Sequence, residues 1–398
     1  MILFLILTWL FIGLILYVYI GYPLVLWLMG KVRARPVDKA PITPSVTLLI
    51  PTYNEEDVIR RKLENSIALD YPREQLEILV IDDASDDATT DIVREYHGRG
   101  VTLVRKRERS GKMSSLEIGF ERASGEIVVL SDASPSYEPK SLKSLLQPFH
   151  DPDVGVAVGR LAVWDSENSV AKPAGFYWKY EAAIRRLESS VGSTVAVHGN
   201  MYAIRRKLFK RLAAGTINDE WSITMRVIQQ GYRIIYEPSA VSYDDVSKKM
   251  KDEFQRRVRI SAGRYQAFFS SQKLWPWKSP LVVFQIISHK LFRLLLPLFM
   301  IGALLCNVVA VFFGSAPAIM WVLLFGQAGF YCLALLGYRA ERADKPKHYN
   351  PATKSANLAY YITSSNIASL YGYMRYLRGQ QSVLWEKADK EVVTTDPF

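Results

Sequence analysis

Met1 to Gly30 is almost wholly apolar and carries no charged side chain. It is longer than the ~20 residues that cross a hydrocarbon core, so it is expected to sit in a membrane. A cleavable signal peptide would have a basic start, a shorter apolar core and a small-residue cleavage site. None of these is present, which predicts an uncleaved anchor. Lys31, Arg33, Arg35 and Lys39 follow directly. Positive charge flanking a span marks its cytoplasmic side, so the next domain is expected in the cytosol.

The remaining chain reads as soluble and then apolar again. With 398 residues, 49% hydrophobic and 22% charged, there is room for a membrane portion beside a soluble domain. The formal net charge of +11 suits acidic partners such as anionic lipid headgroups or phosphates. No nucleic-acid-binding signature accompanies it. Cys306 and Cys332 both lie in apolar runs and form neither a disulfide framework nor a metal-ligand pattern. That fits a reducing compartment.

After a short linker at Pro41–Pro44, strands and helices alternate. Ser45–Ile50 reads as a strand, followed by a helix to about Ala68 whose start carries Glu55, Glu56 and Asp57. Glu77–Ile81 is a second strand, with a helix near Thr89–His97. A third strand spans Val101–Val104, with a helix over Met113–Ala123, and Glu126–Leu130 is a fourth strand. This series predicts an α/β fold with a parallel, doubly wound sheet. Three of the four strands end in polar motifs: Tyr53-Asn54-Glu55, Asp82-Asp83 and Ser131-Asp132-Ala133-Ser134. One carboxylate after a strand can be a cap. Three sets on one sheet edge point to a nucleotide site. No GxGxxG follows the first strand and no GxxxxGK[ST] occurs, which disfavours dinucleotide and P-loop sites.

PTYNEE, the DDASDD run, the Gly111-Lys112 pair and the strand ending in SDAS resemble, in this order and spacing, the family 2 glycosyltransferases. The resemblance continues through FYWKYE (Phe176–Glu181), HGNMYAIRR (His198–Arg206), NDEWSITMRVIQQGYRIIYEP (Asn218–Pro238) and FQRRVRISAG (Phe254–Gly263). It covers roughly residues 46–266, and the membrane-anchored, polysaccharide-making branch is the nearest likeness. It implies a GT-A-like doubly wound mixed sheet flanked by N- and C-terminal transmembrane helices. It also implies an inverting transferase that uses a UDP-sugar and a divalent metal, Mg²⁺ or Mn²⁺, to extend a lipid-linked or growing glycan at the cytosolic membrane face.

Site residues follow from the same resemblance. Thr52, Tyr53, Glu55 and Asp83 would line the nucleoside pocket, although Glu55 and Asp83 also suit helix-capping or turn roles. Lys112 would reach a phosphate as a point charge. Asp132 and Ser134 occupy the family's Asp-x-Asp motif, with Ser134 in place of the second acid. A carboxylate must take the acceptor hydroxyl's proton, and Glu220, or Asp219 beside it, occupies that position. Arg257 and Arg259 fit the motif that aids diphosphate departure. Arg256 and Ile260 replace the Gln and Trp of the processive members, so this position lacks a ring that could stack on the acceptor sugar. His198, Gly199 and Asn200 resemble the acceptor-side loop. Two further readings stay open: a processive synthase that extrudes its product, and a silent nucleotide-sugar-binding subunit.

Downstream, Leu281–Arg293 is expected to lie in the membrane interface. Leu294–Phe313 and Ala316–Tyr338 then form a transmembrane hairpin, whose end Arg339, Arg342, Lys345 and Lys347 return to the cytosol. Leu358–Leu377 is an interfacial, re-entrant or spanning segment. The expected organisation is an anchor (1–30), a cytosolic catalytic domain (31–275), membrane segments (276–378) and a polar tail (379–398).

Overall fold

The computed structural model describes residues 2–163, 171–211, 215–244, 250–270, 272–314, 316–342 and 351–380. The polar tail from Trp385 onward, and Lys345 and Lys347, lie outside them.

The four expected strands form one half of a mixed sheet, as β1 (Val46–Thr52), β2 (Leu76–Asp82), β3 (Val101–Arg105) and β4 (Ile127–Leu130). β5 (Ser136–Tyr137), β6 (Val154–Val163), β7 (Tyr202–Arg205) and β8 (Arg233–Asp244) complete it, in the order β3-β2-β1-β4-β7-β6-β8-β5. β1 to β4 are mutually parallel, as the alternation predicted, and β7 enters antiparallel between β4 and β6. Every residue of β1 is buried, because helices cover both faces of the sheet.

Register places the site. Thr52 pairs with Asp82, and Asp82 with Arg105, so β1 and β2 end side by side. Leu49 pairs with Leu130, so β4 ends on the same edge. Because β7 runs the other way, Leu130 faces Tyr202 at the start of β7. The loop before β7, His198-Gly199-Asn200, is thereby brought against Asp132. β8 pairs with β5 at Tyr243 and Ser136, which sets Asp244 beside the loop after β4.

The helices on the sheet are α2 (Glu56–Ile67), α3 (Thr89–Arg94) and α4 (Lys112–Arg122), each near its expected position, and α5 (Ser141–Leu146), which has no counterpart among the expected helices. α4 crosses β1 closely at Gly119, where a Cβ would lie 2.4 Å from Leu49 Cδ1. Gly119→Ala should therefore overpack this contact and cost about 1–3 kcal/mol, read as a lower Tm of the purified chain. An unchanged Tm would show that the helix can shift. α6 (Ala171–Val191), α7 (Asp219–Gln229) and α8 (Met250–Tyr265) carry the later motifs.

Among the described residues, three helices are long and apolar enough to cross a membrane: α1 (Ile2–Val32), α9 (Pro280–Phe312) and α10 (Ala318–Arg342). Residues 281–293, expected to lie in the membrane interface, run without a break into the apolar stretch that follows, as the first turns of α9. The helix continues because its polar residues are satisfied inside the protein: His289 bonds Glu188 of α6 at 2.7 Å, and Arg293 pairs with Glu181. α1 packs on α9, with Phe11 stacked on Phe299 at 6.5 Å. α11 (Pro351–Leu377) lies against α8 and α10.

Candidate active site

The loops after β1 and β2 are tied together across their tips. Asn54, at φ 54°, exchanges side-chain and backbone hydrogen bonds with Asp86, and Thr89 Oγ1 accepts from the Glu55 amide at 2.8 Å. Arg109 stacks on Tyr53 with 3.7 Å between its guanidinium carbon and the ring centroid. Thr52 is buried beneath them. Asp83 is fully buried; its carboxylate pairs with Lys106 and accepts from the Ser110 and Gly111 amides at 3.0 and 2.8 Å. Its observed partners are thus the loop that delivers Lys112, which makes it a positioning group in this state.

Lys112 opens α4, and its ammonium is the hub of the site. It lies 2.8 Å from Asp132 Oδ1, 3.3 Å from Asp219 Oδ2 and 3.8 Å from Glu220 Oε1. Burial pulls its pKa down, but Asp132, then Asp219 and Glu220, outweigh that and hold it well above the ordinary lysine value. Asp219 Oδ2 is buried and makes no hydrogen bond; Lys112 gives it charge alone. Burial first, and then the Asp219 charge, push Glu220 up to about 8, with Lys112 offsetting only part of this. Glu220 is therefore held in its protonated form at neutral pH, beside the Asp219 charge. Asn218 caps α7 by accepting from the Trp221 amide at 3.1 Å, so the acidic first turn serves the helix as well as the site.

Gly199 fits between these groups. A Cβ there would lie 2.7 Å from Glu220 Oε1 and 2.9 Å from Asp132 Oδ2. Both are ends of side chains that can swing, so Gly199→Ala should fold yet displace the carboxylates. Turnover should fall about 100-fold, the scale of an ångström misplacement, with the Tm little changed. Undiminished turnover would mean that the carboxylates need not sit where they do.

Asn200 donates to Asp244 Oδ2 at 2.8 Å, and Ser134 Oγ donates to Asp244 Oδ1 at 2.8 Å. Sequence reasoning missed Asp244, yet a signal was present: like β1, β2 and β4, β8 ends in acid, at Asp244-Asp245. The hydrogen-bonded Ser134 and Asp244 follow Asp132 at this end of the sheet, and all three offer oxygen, the donor type a hard divalent cation takes. Among the described residues no three His, Cys, Asp or Glu side chains are arranged so that they alone could hold a metal ion. A bound cation would therefore draw further oxygens from hydroxyl, water or ligand. The Asp132 side chain keeps 42% of its surface exposed toward the cleft.

His198 is buried, bonds the Gly159 carbonyl through Nε2 at 3.1 Å and meets the Trp178 ring edge-on at 6.0 Å between centroids. Burial, then the Arg185 charge, lower its pKa to about 3, so it is a neutral ring with a shaping role. Arg259 is half-buried and makes no ion pair or hydrogen bond among the described residues. Arg257 points elsewhere. It pairs with Glu253 at 2.7 Å and meets Tyr361 and Ser365 of α11. Arg256 feels the Asp244 charge, which sets it on the site's side of α8.

A mixed α/β sheet with this edge, together with helices able to cross a membrane, defines a GT-A-type glycosyltransferase with a membrane part. Residues 44–263 match the model of the "Glycosyltransferase like family 2" domain, and the chain belongs to that family. It is 26% identical over 377 residues to a probable glycosyltransferase, YdaM, of Bacillus subtilis (strain 168), covering 87% of each. It is 27% identical over 259 residues to the poly-β-1,6-N-acetyl-D-glucosamine synthase of Staphylococcus aureus (strain MSSA476), covering 61% of each. Among solved structures it resembles the mannosyltransferase PcManGT from Pyrobaculum calidifontis, in complex with GDP-Man and Mn²⁺. That likeness has a TM-score of 0.67 and 28% identity, covering 92% of this chain and 99% of the other.

Proposed function

We propose that the chain is an inverting transferase that moves a sugar from a UDP-sugar to a lipid-linked or growing glycan at the cytosolic membrane face. The observation that carries this reading is the convergence of Asp132, Asp219 and Glu220 on Lys112 beside Gly199.

Each group has a chemical task. Glu220, the more open of the acidic pair, takes the acceptor hydroxyl's proton as that oxygen attacks the anomeric carbon. Asp219 keeps negative charge beside it and raises its basicity. Tyr53, Glu55 and Thr52 border the nucleoside end, and Asp83 holds the Ser110–Gly111 loop that aims Lys112. Asp132, Ser134 and Asp244 would hold Mg²⁺ or Mn²⁺, which when bound neutralises charge on the departing diphosphate. Arg259, a cation without a partner among the described residues, suits the same charge. His198, Gly199 and Asn200 shape the acceptor side. Lys31, Arg33, Arg35 and Lys39 support the cytosolic placement, with 1–30 as anchor, 31–275 as catalytic domain, 276–378 as membrane segments and 379–398 as tail.

A second reading concerns the donor. A structural relative bound to GDP-Man over most of its length makes a GDP-sugar the alternative. Labelled UDP- and GDP-sugars offered to membranes containing the chain, with lipid and polymer products separated, test both. Label transfer from neither class would overturn the reading.

A further inference from the structure

Beneath the catalytic carboxylates, α6, α8, α9 and α11 meet around Tyr177, and the contacts there are short of negative charge. Arg257 shares Glu253 with Arg256. Arg293 takes Glu181, which also serves Arg185 at 3.8 Å and Lys290 at 3.9 Å. The remaining carboxylate, Glu188, is already engaged by Tyr22 and Thr194. Arg264 has no carboxylate partner among the described residues. Arg185 Nε and Arg293 Nε are buried without hydrogen bonds, and the Arg185 side chain is only 4% exposed. Among the described residues the cluster thus holds more cations than carboxylates, and such an imbalance suits an anion bound from outside.

The tyrosine at its centre reports the same imbalance. Burial pushes the Tyr177 hydroxyl up, yet the charges of Arg293, Arg264, Arg257 and Arg185 outweigh this and hold it below the ordinary tyrosine value. Arg257 and Arg293 lie 6.0 and 5.8 Å from the Tyr177 ring centroid. Their side chains keep 19% and 15% of their surface exposed, so the cluster can be reached from outside.

Position narrows the ligand. Arg293 lies on α9, a helix able to cross a membrane, so the anion sits at the level where a lipid headgroup meets protein. Guanidinium forks match phosphate oxygens in pairs. On the other side, the Arg185 guanidinium lies 5.5 Å from the Trp178 ring, and Trp178 meets His198, the residue before Gly199. A path of aromatic surface, on which sugar rings can stack, thus leads from the arginines to the catalytic carboxylates.

We propose that Arg185, Arg257, Arg264 and Arg293 with Tyr177 form a binding site for the phosphate of a membrane lipid that carries the acceptor, its sugar end directed along Trp178 toward Gly199. This rests on the reading of the chain as a transferase to a lipid-linked acceptor, and it assigns Arg257 to acceptor rather than donor.

The test uses the full chain purified in detergent, with tryptophan fluorescence as readout. Farnesyl phosphate, dioleoyl phosphatidic acid, farnesol and inorganic phosphate are titrated separately. Saturable binding of farnesyl phosphate or phosphatidic acid, at least tenfold tighter than farnesol and inorganic phosphate, is expected; which lipid wins identifies an isoprenoid or a glycerolipid carrier. Arg264→Gln should weaken that binding at least tenfold and Arg264→Lys by less, because the lysine keeps the charge but loses the fork. Farnesol binding as tightly as farnesyl phosphate, or Arg264→Gln binding as tightly as the native chain, would overturn the site. Sugar-nucleotide binding is measured on the same samples and shows that each variant is folded. If nucleotides bind and lipid phosphates do not, this inference alone fails; if the native chain binds no sugar nucleotide, the transferase reading fails.

Discussion

Glu220→Gln is expected to lower turnover by about 10²–10⁴-fold while sugar-nucleotide binding is retained. The amide fills the same space but cannot accept the acceptor's proton, and general-base catalysis contributes on that scale. The native enzyme should also lose kcat/KM as pH falls through about 8, because the carboxyl is protonated below that value. Asp219→Asn should move the inflection toward lower pH by removing the neighbouring charge that helps raise Glu220. The fold binds this proton more tightly than the unfolded chain, where the carboxyl has its ordinary value of 4.5. Stability should therefore decline as pH rises from about 4.5 toward 8, and Glu220→Gln should flatten that slope. Full turnover by Glu220→Gln with a native pH profile would remove Glu220 from the chemistry.

Asp132→Ala should reduce kcat/KM on the order of 10²–10³-fold, the range seen when one preorganised charge-stabilising group is removed. It should also abolish the dependence of donor binding on added Mn²⁺ or Mg²⁺. Asp244→Asn should be milder, weakening metal affinity about 10- to 100-fold, since it retains one oxygen beside Ser134 and Asn200. Calorimetric titration of the sugar nucleotide at several metal concentrations separates these effects. If Asp244→Asn leaves the metal dependence intact, Asp244 serves only to brace Ser134 and Asn200.

The parallel half of the sheet was legible because its signal is local. Apolar runs such as Leu48–Ile50 and Ile127–Leu130 mark buried strands wherever they occur, and Asp132 stands at a strand end by simple adjacency. Lys112, Asp219 and Glu220 entered through motifs whose order mirrors the order of strands. The extent of α9 was not legible. His289, Lys290 and Arg293 interrupt the apolar run, and only their pairing with Glu181 and Glu188 carries the helix through them. Arg257 and Arg259 enter together through one family motif, yet side chains two residues apart on a helix point in different directions.

By itself the sequence determined which segments are apolar enough to cross a membrane, which strands lie in the core and which sheet edge bears the carboxylates, since hydrophobic period and charge act over a few residues. Only the tertiary structure decided that Asp244 joins Ser134, that Gly199 separates Glu220 from Asp132, and that four arginines from three helices face one tyrosine. Those meetings join residues distant in the chain. They depend on antiparallel entry of β7 and on helix packing at the membrane end, which no local spacing encodes.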